Sequence, residues 1–405
     1  MRTVDEHLAD ILAAVPAVPP LNLALLEARG AVLAEPVEAP VPLPPFDNSA
    51  MDGYAVVAAD VAGASEADPV VLPVVGDIAA GDPGVSAIRP GLTARIMTGA
   101  PLPAGADAVI PVEWTDGGTA TVRITRPAPP GTYIRRAGED VLAGQVVVEA
   151  GTRLGAPQLG MLAAVGRSRV VVRPRPRVVV LSTGTELREP GARLAPGDIW
   201  DSNSFMLTAA AEEAGAVGFR QETVGDDPDK VRETIEDLLA RADAIVTSGG
   251  VSMGARDVVK EVFTAGGADG PVVFGKVRMR PGKPQGFGIL NGTPIFTLPG
   301  NPVSAYVSFQ VFVRPALRAM QGLPPDPVPT TTAVLTEDVK SPAGLRHYLR
   351  GRLSHHRGAQ AVTPAEGQGS HQLWSLSSAD ALIVVPEDVE SVEAGSQVEV
   401  MRLPS

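Results

Sequence analysis

A buried strand that runs into a glycine-rich turn constrains the fold of this sequence more than any other stretch. The apolar run Ala244-Ile-Val246 is typical of a strand in a parallel sheet, and residues 258–263 show a helical pattern. Between them, Thr247-Ser-Gly-Gly-Val-Ser-Met-Gly-Ala-Arg-Asp257 brings bare glycines and unpaired backbone N–H groups to one place. That arrangement suits an anion such as a phosphate, and Asp257 indicates an accompanying divalent cation. Taken in isolation, a simple glycine-rich turn is the favoured interpretation.

The surrounding residues alternate between strand and helix patterns over about 150 residues, which predicts a parallel three-layer α/β domain. Pro228 directly after Asp227 is a strong helix-start signal, and a long apolar helix is predicted over residues 303–320. Ligands of such sheets lie at the carboxyl ends of the strands. Four polar loops are expected there: residues 182–186, 225–227, 248–257 and 298–302.

The flanking segments predict three further domains. Thr3 and Glu6 form a capping box at a first helix, a second helix is expected from Asn22 to Arg29, and another over residues 154–165. Short Val-rich runs punctuated by Gly and Pro indicate β structure. The predicted domains are a discontinuous helical domain (1–44 with 146–175), a β-rich domain (45–145), the α/β domain (176–325) and a C-terminal β-barrel (326–405).

Composition limits the class of protein. The 405 residues carry a formal net charge of -12, which argues against a general nucleic-acid binder. The sequence has no cysteine, which excludes disulfides and thiolate metal sites and fits a reducing compartment. No apolar run is long enough to cross a membrane, and the first residues lack the apolar core of a signal peptide. A cytoplasmic protein is expected, without nucleic-acid or membrane partners.

The polar loops together carry a family resemblance. Residues 177–323 resemble a molybdopterin-binding α/β domain, with the motifs STGxEL, TSGGVSxGxxD and LPGNPxS in that order. The motifs MDGYA, MTGAP, RxxGED and RPGKP, with the rest of the chain, resemble the molybdopterin molybdenumtransferase family, the group of MoeA and the gephyrin E domain. The resemblance implies Mg²⁺-dependent cleavage of adenylylated molybdopterin with insertion of molybdate, which releases AMP and molybdenum cofactor. It also implies a homodimer with composite active sites. Molybdopterin adenylyltransferase and molybdoenzyme acceptors are the candidate partners.

The resemblance assigns catalytic roles residue by residue. Asp226 and Asp257 match the two acidic positions tied to the metal and the pyrophosphate link, and Glu186 lies in the matching STGxEL loop. A metal held by a few carboxylates and phosphate oxygens can stabilise a leaving phosphate. Without the motifs, Asp226 would be equally well explained as an acid at a helix entrance. Thr185 stands where relatives often carry an acid.

Three cations follow in the segment Gly275–Pro284. Lys276 and Arg280 are expected to act in catalysis, and Lys283 is expected to bind an anion of the substrates. Residues 276, 278 and 280 are expected to share one face of a strand. For Arg278 a solvated strand edge explains the charge equally well. Relatives often carry Lys where this chain has Arg280. The arginine keeps the positive charge, but its planar guanidinium replaces the compact ammonium group of lysine.

The remaining site residues implied by the resemblance fall into three groups. The molybdate site is expected at Lys283, Pro284, Ser304, Arg350 and Ser370. The loops that hold the pterin and its phosphates are expected to contribute Thr183, Gly184, Ser248, Gly249, Gly250, Ser252, Pro299, Asn301 and Pro302. Across the dimer, the β-rich domain of the partner is expected to contribute Asp52, Thr98 and Asp140.

Two other functions are compatible with parts of the sequence. A molybdopterin adenylyltransferase would resemble residues 177–323 alone, and a non-catalytic scaffold would not need the retained acids and lysines. The five histidines form no metal-binding pattern, and the three tryptophans are expected to pack in the interior.

Overall fold

The chain forms two compact units. The computed structural model describes residues 1–81, 85–249, 258–264, 272–326, 328–356 and 358–404. One unit comprises Met1–Asn22, Gly30–Ala34 and Val171–Ser405, and the other comprises Leu23–Arg29 and Glu35–Val170. Among the described residues, no helix is both long and apolar enough to cross a membrane.

A six-stranded sheet organises the first unit. Its strands are labelled in chain order: β1 Arg177–Ser182, β2 Val217–Arg220, β3 Ala244–Ser248, β4 Val272–Lys276, β5 Pro284–Leu290 and β6 Thr293–Leu298. The spatial order is β2-β1-β3-β6-β5-β4. The first four strands in this order run parallel, whereas β5 runs antiparallel to both of its neighbours.

The prediction of a wholly parallel sheet is therefore wrong at β5. The two residues between β5 and β6 are Asn291 and Gly292, with φ of 51° and 81°. Positive φ at both central positions is the requirement of a tight two-residue hairpin turn, which reverses the chain.

Helices cover both faces of the sheet, as a three-layer domain requires. Val178 and Val180 of β1 pack with Leu207 in one buried cluster, whereas Val179 and Leu181 pack with Val231 and Ile235 in another. Adjacent residues of a strand point to opposite faces, so one strand feeds both layers. The helices of this domain are Asn203–Glu213, Pro228–Leu239, Val258–Thr264, Pro302–Ser308 and Arg314–Met320, the last two joined by a π-helical turn, Phe309–Val313.

The predicted start of the helix Pro228–Leu239 is confirmed. The Asp227 carboxylate accepts hydrogen bonds from the backbone N–H groups of Asp229 at 3.1 Å and Lys230 at 3.4 Å. Pro228 occupies the first turn, where its missing N–H would have had no partner in the helix.

The first helix, Val4–Ala14, begins at the predicted capping box of Thr3 and Glu6. It lies in the first unit, where the His7 ring contacts Phe312 edge-on at 4.8 Å between ring centroids. Asp5 accepts two hydrogen bonds from Arg346, at 2.7 and 2.8 Å. The helix Ala156–Ala164 belongs to the other unit.

The C-terminal region contains the predicted barrel. Five strands pair in a closed ring: Arg346–His356, Ala359–Pro364, Thr330–Leu335, Gln397–Arg402 and Ala381–Val385, which pairs again with the first. Met279–Arg280 adds to the outside of Arg346–His356. A short helix, Leu373–Ser377, precedes the strand Ala381–Val385, and Val339–Lys340 pairs with Ser391–Val392.

The second unit is rich in β structure. Its main sheet has the order Ala108–Pro111, Gly53–Val56, Thr93–Ile96, Val70–Ile78 and Thr121–Ile124. Two short pairs accompany it: Asn48–Ser49 with Ile134–Arg135, and Val37–Glu38 with Val146–Val148.

The predicted helix from Asn22 to Arg29 is wrong. Leu21–Ala24 is instead a strand of a small sheet with Arg169–Arg173 and Val32–Leu33, and turns follow it. The N–H of Leu25 donates to the carbonyl of Ser168 at 3.3 Å, and what remains of the predicted helix is a single turn, closed by the N–H of Ala28 donating to the carbonyl of Ala24 at 2.9 Å.

Candidate active site

A cavity of about 580 Å³ opens at the carboxyl ends of β1, β3 and β6. Ten of the residues predicted from the motifs line it: Thr183, Gly184, Glu186, Asp226, Ser248, Gly249, Pro284, Pro299, Asn301 and Pro302. The cavity is therefore where the parallel strands of an α/β sheet are expected to bind a ligand.

The loops after β1 and β2 place one carboxylate each on the cavity, Glu186 and Asp226. The Asp226 carboxylate accepts hydrogen bonds from the N–H and the hydroxyl of Thr185, each at 3.2 Å. The Glu186 carboxylate folds over Gly184, where an added Cβ would lie 2.7 Å from a carboxylate oxygen. Thr185 is thus the contact that holds Asp226 beside the loop after β1.

The turn after β3 needs glycine at its first described position. Gly249 has φ of +94°, and a Cβ there would lie 2.8 Å from the carbonyl oxygen of Thr183. The bare backbone lets the ends of β1 and β3 approach each other. Gly250, Ser252 and Asp257, which were predicted to act in this turn, lie outside the described residues.

Two cavity residues that sequence reasoning missed fix this geometry. Asp201 is 1% exposed and accepts hydrogen bonds from Ser182 Oγ at 3.0 Å, Thr223 Oγ1 at 3.2 Å, and both the N–H (3.1 Å) and the hydroxyl (2.5 Å) of Ser204. Asn203 donates its amide to Ser248 Oγ at 2.7 Å and to the carbonyl of Gly300 at 2.6 Å. The signal that would have found them is the cluster Asp201-Ser-Asn-Ser204, an acid, an amide and hydroxyls at a helix start.

The LPGNP segment and the C-terminal region meet near the cavity. The N–H of Val303 donates to the carbonyl of Ser370 at 3.1 Å, and the next residue in the chain, His371, lines the cavity. Ser304 is buried and does not line the cavity. His371 was also missed, because a single histidine carries no spacing pattern.

Arg350 is fully buried and does not line the cavity. Its guanidinium donates to the carbonyls of Gly367 at 2.6 Å and Gly369 at 3.1 Å, and to Ser375 Oγ at 3.1 Å. Burial lowers the pKa of Arg350 to about 10, so the group remains charged at neutral pH. Arg350 therefore holds the segment 367–375, which carries Ser370 and His371.

The three predicted cations Lys276, Arg280 and Lys283 are exposed and do not line the cavity, although Pro284 does. Lys276 ends β4 opposite Pro284, and the carbonyl of Lys283 accepts a hydrogen bond from the N–H of Val277 at 2.8 Å. Residues 276, 278 and 280 are exposed and residues 277 and 279 are buried, as expected if the first three share one face. They do not belong to a single strand, because β4 ends at Lys276 and a separate strand begins at Met279.

Two of the three residues predicted in the β-rich segment contact each other. Asp52 accepts hydrogen bonds from the N–H of Thr98 at 2.7 Å and from its hydroxyl at 2.8 Å. The backbone N–H donation from Thr98 is the main cause that lowers the pKa of Asp52. Asp140 is exposed, and its backbone N–H donates to the carbonyl of Leu43 at 3.0 Å.

The donor chemistry of the cavity fits Mg²⁺. No three His, Asp or Glu side chains of the described part of the chain cluster tightly enough to hold a metal. Three carboxylates line the cavity: Asp201 is buried and already accepts four hydrogen bonds from protein groups, which leaves Glu186 and Asp226 for a ligand. Mg²⁺ is usually held by one or two carboxylates together with phosphate oxygens and water.

Three family models match the chain: MoeA N-terminal region (domain I and II) at residues 2–166, probable molybdopterin binding domain at residues 179–319, and MoeA C-terminal region (domain IV) at residues 332–403. Molybdopterin molybdenumtransferase 2 of Mycobacterium tuberculosis is 48% identical, over 100% of both chains. Molybdopterin molybdenumtransferase of Bacillus subtilis is 35% identical, over 94% of this chain and 89% of that one. The crystal structure of a molybdopterin biosynthesis MoeA protein from Pyrococcus horikosii superposes with a TM-score of 0.82 at 33% identity, covering 100% of this chain and 99% of that one. The chain belongs to the molybdopterin molybdenumtransferase family, the MoeA family of transferases.

Proposed function

We propose that this chain inserts molybdate into adenylylated molybdopterin, releasing AMP and leaving molybdenum cofactor, in a reaction that depends on Mg²⁺. The observation that carries the proposal is the cavity at the strand ends, where Glu186 and Asp226 face the backbone of Gly184 and Gly249. Carboxylates beside a glycine-rich anion site suit a phosphate whose charge a divalent cation neutralises.

The metal is proposed to be held by Asp226 and Asp257, with Glu186 beside them. Bound Mg²⁺ would neutralise charge that develops on the leaving phosphate. Thr185 fixes one Asp226 oxygen through two hydrogen bonds, which leaves the other oxygen to face the metal. Gly249 keeps a side chain out of the space that the phosphates occupy, because a Cβ there would already crowd Thr183.

Molybdate is proposed to bind where the LPGNP segment meets the segment 367–375. Lys283, Pro284, Ser304 and Ser370 would surround the dianion, with Lys276 and Arg280 adding positive charge from the exposed strand face. Arg350 serves this site by holding the segment 367–375, since its guanidinium donates to Gly367, Gly369 and Ser375 within the protein.

The active form is proposed to be a cytoplasmic homodimer with composite sites. Asp52, Thr98 and Asp140 of one subunit would complete the cavity of the other. The hydrogen bonds from Thr98 keep Asp52 ionised and oriented, which supports a role for this carboxylate as an acceptor or as a ligand. A molybdopterin adenylyltransferase would supply the substrate, and molybdoenzymes would accept the product.

The test is molybdate-dependent release of AMP from adenylylated molybdopterin in the presence of Mg²⁺. Asp226→Asn should lower turnover by more than about 100-fold, the size of effect expected when a charge-stabilising group is lost. Asp229→Asn is the matched control, because Asp229 is an exposed acid on the neighbouring helix, paired at 3.3 Å with Arg232.

Unchanged AMP release by Asp226→Asn, with unchanged Mg²⁺ dependence, would remove Asp226 from the mechanism. A wild-type protein that releases no AMP when molybdate is added would refute the proposed function itself.

A further inference from the structure

Trp200 is exposed at the wall of the cavity, contrary to the expectation that the tryptophans pack in the interior. Its exposed fraction is 52%, and the adjacent Ile199 is 54% exposed. Both residues line the cavity together with Leu187. An exposed apolar face that borders a polar cavity is typical of a ligand-binding surface.

The backbone fixes the position of Trp200 relative to the carboxylates. Ile199–Trp200 forms a short parallel pair with Leu187–Arg188, the two residues after Glu186. The N–H of Ile199 donates to the carbonyl of Glu186, and the N–H of Asp201 donates to the carbonyl of Arg188, each at 2.9 Å. Trp200 is thus tied to the same loop that presents Glu186.

The indole is also held in one orientation. Its Nε1–H donates to the carbonyl of Ala192 at 2.9 Å. This bond satisfies the polar edge of the ring, and an indole so anchored keeps its apolar face for a ligand. Among the described residues that line the cavity, Trp200 and His371 alone carry aromatic rings, and only Trp200 has a large fused ring.

We propose that Trp200 stacks on a fused nitrogen heterocycle of the substrate, either its pterin or its adenine. This inference rests on the proposed function, which brings both rings to the cavity. Stacking between an aromatic side chain and a base tolerates different rings, because every such ring offers a π-face. Trp200 is therefore a specificity-determining residue that favours ring-bearing anions over simple phosphates.

Calorimetric titration of the full chain tests the proposal with three probes: AMP, pterin-6-carboxylate and ribose 5-phosphate. Stacking of this kind changes affinity by about 5- to 150-fold, so Trp200→Ala should weaken binding of at least one ring-bearing probe by that factor. Binding of ribose 5-phosphate should change less than about twofold, because it has no ring to stack. Trp200→Phe should stay within about threefold of wild type.

The matched control is Trp374→Ala, since Trp374 is 73% exposed and does not line the cavity. A loss for AMP alone would identify adenine as the stacked ring, and a loss for the pterin alone would identify the pterin. Quenching of the protein fluorescence by the same probe should disappear in Trp200→Phe and persist in Trp374→Ala.

Wild-type affinity of Trp200→Ala for both ring-bearing probes would overturn the proposal, as would a wild-type protein that binds neither probe. These outcomes differ from failure of the proposed function. In that case Trp200-dependent binding of a ring would persist while molybdate-dependent AMP release is absent.

Discussion

Replacing Arg350 by Met should loosen the segment 367–375 and destabilise the C-terminal region. The guanidinium makes three hydrogen bonds to this segment, at 2.6, 3.1 and 3.1 Å. Hydrogen bonds from a charged donor stabilise by about 1.5–3 kcal/mol each. Against this, burial lowers the pKa of Arg350 to about 10, so keeping the group charged costs about 3 kcal/mol. The three bonds together contribute about 4.5–9 kcal/mol, so the net loss in Arg350→Met is about 1.5–6 kcal/mol.

The loss should be visible both in stability and at the molybdate site. Urea unfolding measures the first, and hydrogen exchange of the backbone amides of residues 367–375 measures the local loosening. The molybdate concentration for half-maximal AMP release should rise, because Ser370 and His371 are no longer held. Arg352→Met is the matched control: Arg352 is exposed on the same strand and donates one hydrogen bond, to the carbonyl of Ser378 at 2.9 Å.

Two results would refute this reasoning. If Arg350→Met is as stable as Arg352→Met and its amides exchange at the wild-type rate, Arg350 does not hold the segment. If the molybdate requirement rises while exchange in residues 367–375 stays unchanged, Arg350 contacts the dianion directly, as the family resemblance had suggested.

Two further predictions concern acid pH and assembly. Burial is the main cause that lowers the pKa of His7 and the pKa of His347, each to about 4. Both histidines therefore stay neutral in the folded protein above that pH. In the unfolded chain they become protonated near pH 6.5. When the pH is lowered from 7 to 5, each histidine should therefore reduce the free energy of unfolding by about 2 kcal/mol, and the loss should continue to about pH 4. His7→Gln should remove the His7 share of this change, as measured by urea unfolding. An unaltered pH slope in that variant would show that His7 is not the group concerned. For assembly, a random mixture of Asp52→Ala and Asp226→Asn chains should recover about a quarter of wild-type activity, because half of the dimers are hybrid and each hybrid keeps one intact composite site. No recovery in confirmed heterodimers would place both residues in the same subunit's site or outside it.

The architecture of the α/β domain followed closely from local signals in the sequence. The cap at Asp227 and Pro228 needed only neighbouring residues, and the buried strand into Ser248 was visible as an apolar run that leads into Gly249-Gly250. The reversed direction of β5 also had a local signal, since Asn291-Gly292 is the dipeptide most typical of a tight hairpin. The sequence therefore contains the local information that sets the direction of β5.

The packing of individual side chains could not be predicted in the same way. The pattern around Arg350 shows a strand, but its partners Gly367, Gly369 and Ser375 are distant in sequence and become neighbours only when the barrel closes. An arginine at a motif position suggested contact with an anion, and its burial and its hydrogen bonds to the segment 367–375 support the proposal that it positions this segment. Trp200 illustrates the reverse case, because large apolar residues are usually buried and only the geometry beside Glu186 reveals the exposed ring.

Asn203 shows how residues outside the motifs unify the cavity. The carbonyl of Gly300 can only accept a hydrogen bond, so the amide nitrogen of Asn203 must face it, which settles the orientation of the side chain. The same nitrogen donates to Ser248 Oγ, and Asp201, two residues earlier, accepts from Ser182 Oγ. The segment 201–203 therefore ties together the ends of β1 and β3 and the loop after β6, which carry the motifs STGxEL, TSGGVSxGxxD and LPGNPxS. A motif residue such as Ser248 is thus positioned by neighbours that no single motif contains, and a substitution at Asn203 should disturb the cavity as much as one within the motifs.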